Sequence, residues 1–563
     1  MDFDIILHEV GEFGRYQILL LVFIIIPACI PGGMHSFSQL FLVATPAHSC
    51  RIPVNATQQN TSIFIPRLVS SNSQCQMYDL DYSNESLLQS FTPSNTTPVT
   101  GCKYGWDYDR SVYLSSTVTE WDLVCSHAYL PTLSLSVHTF GSLCGSLLLG
   151  YIGDRFGRKT AYYIAITLQL ASGVATAFAP NFLVFCVIRF VNGLTTIPVW
   201  IFPLIMGLEL IGPSRRAPVG ITMSLIYTLG VLSLGGIAYF IRDGVTLQLT
   251  VTLSFSFLIF WWWLLPESPR WLMSQGRFED MVTIVKQVAR WNRKQLTEEQ
   301  INVWRGAYET ERKAASLDAD KVVRYSPLDL FRTPNLRMKT ILMIFNSFSN
   351  NLVYNGLNFF VPQLGDNEHM SFLWSSIVEV PSYFILYFTL DRFGRKMTIM
   401  STMCIGGMLS LLAAVTVTFV NHTPMMVLVL GAKFCINLSF FIVDLMVSEL
   451  IPTVVRGEGA TLTQTVSAIG LCISPAISYW GQQNQMGPLL LFGVLALAGG
   501  AVILRLPETA NVKLPDTLQE GEEFGKHTAW RETVKLCCRQ SSPHESPESA
   551  NPVPSPEHAT LLS

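Results

Sequence analysis

The sequence predicts an all-α membrane protein: twelve transmembrane helices in two pseudo-symmetric six-helix bundles, with a large extracellular loop after the first helix. Three observations carry this. Charged residues make up 14% of the 563 and hydrophobic residues 49%, whereas soluble domains are roughly 25% charged. About twelve apolar runs are long enough to cross ~30 Å of hydrocarbon as helices. The second half of the chain also repeats landmarks of the first. Gly153-Asp154-Arg155-Phe156-Gly157-Arg158-Lys159 returns as Asp391-Arg392-Phe393-Gly394-Arg395-Lys396. Glu209 with Arg216 returns as Glu449 with Arg456, and Pro266-Glu267-Ser268 as Pro507-Glu508-Thr509, in the same order at offsets of 237 to 241. Paired membrane halves share an interface where a solute can sit, so the repeat points to transport. The net charge of −3 says nothing about partners.

Residues 1–44 hold the amino end and the first span (18–44). This run is too long for the apolar core of a cleaved signal and reads as a retained helix. The 45–129 loop carries N-x-Ser/Thr acceptors at Asn55, Asn60, Asn84 and Asn95, and four cysteines, Cys50, Cys75, Cys102 and Cys125. It is expected to be glycosylated and to hold two disulfides, with three pairings open. Helices 2–6 follow within 130–265, at 130–152, 160–179, 182–211, 217–241 and 246–265. Residues 266–337 form a mixed-charge cytoplasmic helical loop, with Arg277, Lys286, Arg290 and Arg293 at helical spacing. Helices 7–12 fill 338–506, at 338–362, 371–390, 398–419, 424–450, 457–480 and 487–506. The Ser-, Pro- and Glu-rich end, 507–563, is expected to be a disordered cytoplasmic tail. Basic residues in short loops, Arg155, Arg158, Lys159, Arg392, Arg395 and Lys396, put both termini in the cytoplasm and the 45–129 loop outside. The expected location is the plasma membrane.

The landmarks resemble the major facilitator superfamily and, within it, the solute carrier 22 family. Matching runs cover nearly the whole chain: Val10 to Gln17, Phe37 to Pro46, Tyr113 to Cys125, Gly153 to Lys159, Ala238 to Asp243, Pro266 to Leu272 and Glu449 to Arg456. The first loop and the run Val378 to Tyr383 look most like the organic cation and carnitine transporters. Gly244-Val245 departs from the Trp-Arg usual in that family.

Asp154 beside Arg155, Arg158 and Lys159 forms a compact ion cluster at a helix junction, matched by Asp391, Arg392 and Arg395. Such clusters can lock one packing of two helices and release another. With Glu209, Arg216, Glu449, Arg456, Glu267 and Glu508 they read as an inner gate. Salt bridges between the halves would hold the outward-open state. The resemblance implies the same role.

Charges within spans are costly, at least ~2.5 kcal/mol near mid-bilayer. Glu379 and Asp444 are acids with no adjacent base in sequence; each reads as a substrate contact in the cavity or as a helix–helix hydrogen bond, and Glu379 is expected to be the main counter-charge of a cationic solute. Lys433 reads equally as a partner for an acid or as a contact for a substrate carboxylate. Arg189 reads as structural. Aromatic rings can hold an ammonium at ~0.5–2 kcal/mol each. The resemblance assigns that role to Trp200, Tyr227, Tyr354, Phe440 and Phe441. Two positions depart from the cation transporters: Ala468 stands where span 11 carries an Asp, and Ser347 where span 7 carries a Trp. Asn346, Asn350, Asn351, Asn355 and Asn358 cluster on span 7 instead and suit a polar solute.

The chain has no phosphate-binding loop, zinc motif or nucleophile elbow, so no enzyme, nucleotide, nucleic acid, metal or cofactor is expected. Sodium or proton coupling stays open. The expected function is transport of small organic cations or zwitterions, carnitine-like or quaternary ammonium and amine solutes, across the lipid bilayer by alternating access. The alternatives are an organic anion exchanger of the same family, which Lys433 and the missing span-11 acid keep open, and a non-transporting membrane sensor.

Overall fold

The computed structural model describes residues 3–52, 74–80, 82, 97–317, 326–365, 367–418, 422–510, 512 and 514–526. The four sequon asparagines, the Asp391 side chain and residues 527–563 lie outside this set.

A short helix α1 (Phe3–Val10) precedes the first span, α2 (Arg15–Leu42). Within α2, Leu21–Ile25 forms a π-turn. It lies just before Pro27, which cannot donate to the carbonyl four residues back. The loop then forms strands β1 (His48–Cys50), β2 (Gln76–Tyr78), β3 (Val99–Gly101) and β4 (Trp106–Tyr108), and helix α3 (Thr117–Trp121). Antiparallel pairs β1–β4 and β2–β3 make two small sheets that the helical reading did not include. Disulfides Cys50–Cys102 and Cys75–Cys125 select one of the three pairings.

The first half continues with α4 (Leu130–Phe156), α5 (Arg158–Ala177), α6 (Phe182–Glu209), α7 (Pro213–Phe240) and α8 (Gly244–Leu253). The apolar run predicts one continuous helix over 246–265. Instead α8 gives way to a 3₁₀ stretch at Ser256–Trp263. Thr250 and Ser254 hydroxyls donate to carbonyls four residues back, at 2.7 and 2.5 Å, which loosens a helix just there. Gly145 brings α4 against α6, since a Cβ there would sit 1.9 Å from the Leu194 carbonyl oxygen.

Helices α9 (Pro269–Ser274), α10 (Phe278–Trp291) and α11 (Glu298–Leu317) form the bundle between the halves. Its apolar side shares one core with α1 and the first half through Phe3, Ile6, Leu7, Met281, Val285 and Trp304. The second half is α12 (Pro334–Phe360), α13 (Glu368–Arg392), α14 (Arg395–Thr416), α15 (His422–Leu450), α16 (Arg456–Gln483) and α17 (Met486–Ile503). Ten spans among the described residues are long and apolar enough to cross a membrane. Helices α5 and α12 are as long but richer in polar residues; with them the total is consistent with twelve.

The last helix, α18 (Leu518–Glu523), corrects the reading of 507–563 as uniformly disordered. Glu522 accepts from the Asn335 and Leu336 amides, at 3.1 and 2.8 Å, and so caps α12. A carboxylate is favourable at a helix N-terminus, which explains the docking.

The halves meet along α7–α13 and α4–α16. They close tightly on the face that bears the 45–129 loop. There Phe41 stacks on His369 at 5.2 Å and meets Phe372 at 5.1 Å, and the Tyr113 hydroxyl donates to Glu368 at 2.6 Å. On the opposite face, with α1 and α18, a cleft leaves Asp444 and Gln464 exposed.

Candidate functional site

All three repeated landmarks converge at one helix junction in each half. Gly157 ends α4 at φ 107° and Gly394 follows α13 at φ 78°, a region open chiefly to glycine. Tight turns there leave amides of the next helix unpaired, and a carboxylate fills each gap. Glu267 accepts from the Lys159 amide at 3.1 Å; Glu508 accepts from the Arg395 and Lys396 amides at 2.9 and 3.1 Å. Arg158 reaches Glu209 at 3.8 Å and Arg395 reaches Glu449 at 3.3 Å. Arg216 and Arg456 donate to the Ile211 and Ile451 carbonyls at 3.1 and 3.2 Å. Arg155 turns to the Tyr151 hydroxyl at 2.7 Å, and Arg392 is exposed. Asp154 pairs with Arg158 at 3.1 Å while 76% exposed. Each of these ion pairs joins residues of one half, and the cleft between the junctions is open.

Deeper in the cleft, aromatic pairs face each other from the two halves. Trp200 on α6 lies 5.3 Å from Tyr227 on α7, whose hydroxyl donates to Ser36 at 2.8 Å. Tyr354 on α12 stacks on Phe440 of α15 at 4.4 Å. Phe441 points across at α7, where a Cβ on Gly220 would lie 4.0 Å from its ring.

Glu379 is not the unpaired acid the sequence suggested. Its Oε1 lies 2.8 Å from Lys433 Nζ, with the two side chains 4% and 1% exposed. Lys433 also donates to the Ser375 carbonyl at 3.1 Å and to its hydroxyl. Tyr354 and Thr228 hydroxyls approach the carboxylate at 3.4 Å. A charge so deeply buried needs a partner, and α13 and α15 supply one from positions 54 apart in sequence. Removing either member of such a pair costs about 3–5 kcal/mol.

Asp444 differs. It is the one exposed residue of α15 between 431 and 450, and its carboxylate accepts from the Gln464 amide of α16. Eleven residues after Lys433, it returns to the same stripe of α15, ~16 Å along the axis and ~6 Å beyond Phe440. An acid on that stripe faces the cleft rather than lipid.

Sequence reasoning missed Ser36, Thr228, Ser375 and Tyr383, which position these groups. One signal was present: Gly32-Gly33 on α2 lets α6 and α7 close in, since Cβ atoms there would meet Trp200 Cβ at 2.5 Å and the Tyr227 carbonyl at 2.2 Å. Asp4, which holds both Arg216 at 2.5 Å and Arg270, was also missed.

Comparison with known proteins accords with this architecture. The profile of the family "Sugar (and other) transporter" matches residues 74–519. Over 545 residues the chain is 36% identical to a beta-alanine transporter of Drosophila melanogaster, covering 93% of this chain and 89% of that one. An organic cation transporter protein of the same organism is 34% identical, with 95% and 97% covered. Solute carrier family 22 member 1 of Oryctolagus cuniculus is 32% identical, with 97% and 99% covered. In structure, the proton:xylose symporter XylE of the major facilitator superfamily superposes with a TM-score of 0.58 at 16% identity, covering 90% of this chain and 98% of that one. The paired halves, their matched junctions and these relatives together make the chain a multi-pass membrane transporter of the sugar (and other) transporter family and, within it, of solute carrier family 22.

Proposed function

We propose that the protein carries small organic cations and zwitterions across the plasma membrane by alternating access. The loop face is outside and both chain ends are cytoplasmic. The ammonium group shared by beta-alanine and organic amines is the chemistry this cleft suits. Two aromatic pairs offer ring faces to a cation. Below them, Asp444 supplies the negative charge. Glu379 stands aside, because its charge is cancelled by Lys433. The same pairing withdraws the support that Lys433 gave to an anion exchanger. Sidedness rests on the basic junctions and on the disulfide-bonded loop.

The observation that carries this reading is Asp444, an acid open to the cleft beneath the rings. Its test is uptake of labelled tetraethylammonium and beta-alanine, normalised to surface protein, for Asp444→Asn and Asp444→Glu. An ion pair worth about 2 kcal/mol corresponds to about a thirtyfold fall in kcat/KM for Asp444→Asn, with partial retention in Asp444→Glu. Normal cation uptake by Asp444→Asn would overturn the assignment.

A further inference from the structure

A second cavity, of about 540 Å3, lies at the closed loop face, and none of Trp200, Tyr227, Tyr354, Glu379 or Phe440 lines it. We infer that this vestibule is a separate binding site for a protonated amine with an apolar body, and that its occupant holds the loop face shut. Its volume falls in the range of small-molecule pockets, roughly 300–1,000 Å3.

Both halves build the walls: Phe41 and Tyr113 from the first, Phe372, Glu368, Gln363 and Ser478 from the second. Among the described residues no lysine or arginine lines the cavity. Glu368 makes no ion pair among the described residues, and its Oε2 accepts from the Tyr113 hydroxyl at 2.6 Å. Arg242, whose charge is felt at His369 beside it, does not line the cavity and donates to the Ser111 carbonyl at 2.7 Å rather than to Glu368. The wall therefore carries one carboxylate with no ion-pair partner among the described residues, beside ring faces, the combination that attracts an organic cation. Gln363 Oε1 and Ser478 Oγ are buried without partners. An unmet buried acceptor favours a ligand bearing N–H groups over a quaternary ammonium.

A ligand touching Phe41 and Tyr113 on one side and Glu368 and Phe372 on the other binds only while the halves are together at this face. It then stabilises the conformation open toward the chain ends and slows the return. Which compartment the ligand comes from rests on the sidedness proposed above; the site itself does not.

The probe is phenethylammonium, titrated against the heat stability of the purified full-length protein. In an Asp444→Asn background, which removes the central acid, a saturable rise in Tm is expected to persist. Adding Glu368→Gln should abolish it, and adding Gln363→Leu should weaken the apparent affinity at least fivefold. Replacing phenethylammonium with tetrabutylammonium should lower affinity. Loss of binding in Asp444→Asn alone, or its survival with both Glu368→Gln and Gln363→Leu, would overturn the vestibule site. Heat stability reports binding without uptake, so the vestibule is tested even if the protein carries no cation.

Discussion

The two helix junctions that face each other across the open cleft were built from one pattern and now differ. Contacts directed at the backbone are shared. Glu267 and Glu508 cap the amides after Gly157 and Gly394, and Arg216 and Arg456 each reach an isoleucine carbonyl five residues back. Among contacts between side chains, the Arg158–Glu209 and Arg395–Glu449 pairs are shared, as is a hydroxyl from Ser268 or Thr509 on the same glutamate, while the partners of Arg216 and Arg456 have diverged. In the first half Asp4 gathers Arg216 and Arg270, tying the junction to the amino-terminal helix. In the second, where the Thr509 hydroxyl donates to Glu449 at 2.6 Å, Arg456 Nη2 is buried without a partner. The turn geometry fixes where the amides point, so the capping acids must stay. The outer arginines Arg216 and Arg456 are held by no such constraint on their side-chain partners, and there the halves differ.

The comparison breaks most visibly at the glycines. Gly157→Ala and Gly394→Ala should each cut surface protein more than tenfold. Backbone strain of this kind costs about 1–3 kcal/mol, and a Cβ would lie 2.2 Å from Glu267 and 2.7 Å from Glu508. Surface biotinylation measures it, and tolerance at one site would mean the turns are not equivalent. Asp4→Asn should affect the first half alone. With Asp4 22% exposed, a discounted loss near 1 kcal/mol corresponds to about fivefold lower uptake per surface molecule.

Smaller again, Thr509→Val removes one hydrogen bond, about 0.7 kcal/mol, and should lower uptake about threefold. Ser268→Ala, its counterpart, should lower heat stability with little change in KM. The Ser268 hydroxyl accepts from the Trp271 amide at 3.2 Å to cap α9. Asp154→Asn should leave Tm unchanged, because its pair with Arg158 is exposed to screening in this state. Any loss of turnover would then belong to the opposite conformation, which is where a gate role for Asp154 would act. A large fall in Tm would contradict that separation.

Periodicity and repetition exposed much of this architecture before any coordinate. Runs of apolar residues marked the spans because a bilayer demands helices of fixed length. Repeated Gly, Glu and Arg landmarks marked the junctions because turn geometry demands them. What stayed hidden depends on distant approach. Glu379 and Lys433 look like two isolated charges in sequence; nothing in either span says that α13 and α15 put them 2.8 Å apart. Asp444 gave no hint of its exposure, which arises only where the halves part. The break after α8 depends on hydroxyls folding back on their own helix, a signal too weak to outweigh a long apolar run.

The loop disulfides have a consequence for the covalent integrity of the chain. Cys50–Cys102 and Cys75–Cys125 interleave, so each ring contains one cysteine of the other. A single protease cut anywhere between 50 and 125 falls inside at least one closed ring. The nicked protein therefore remains one covalent molecule on a non-reducing gel and separates only when thiols are added. Either bond alone would leave part of that stretch unguarded.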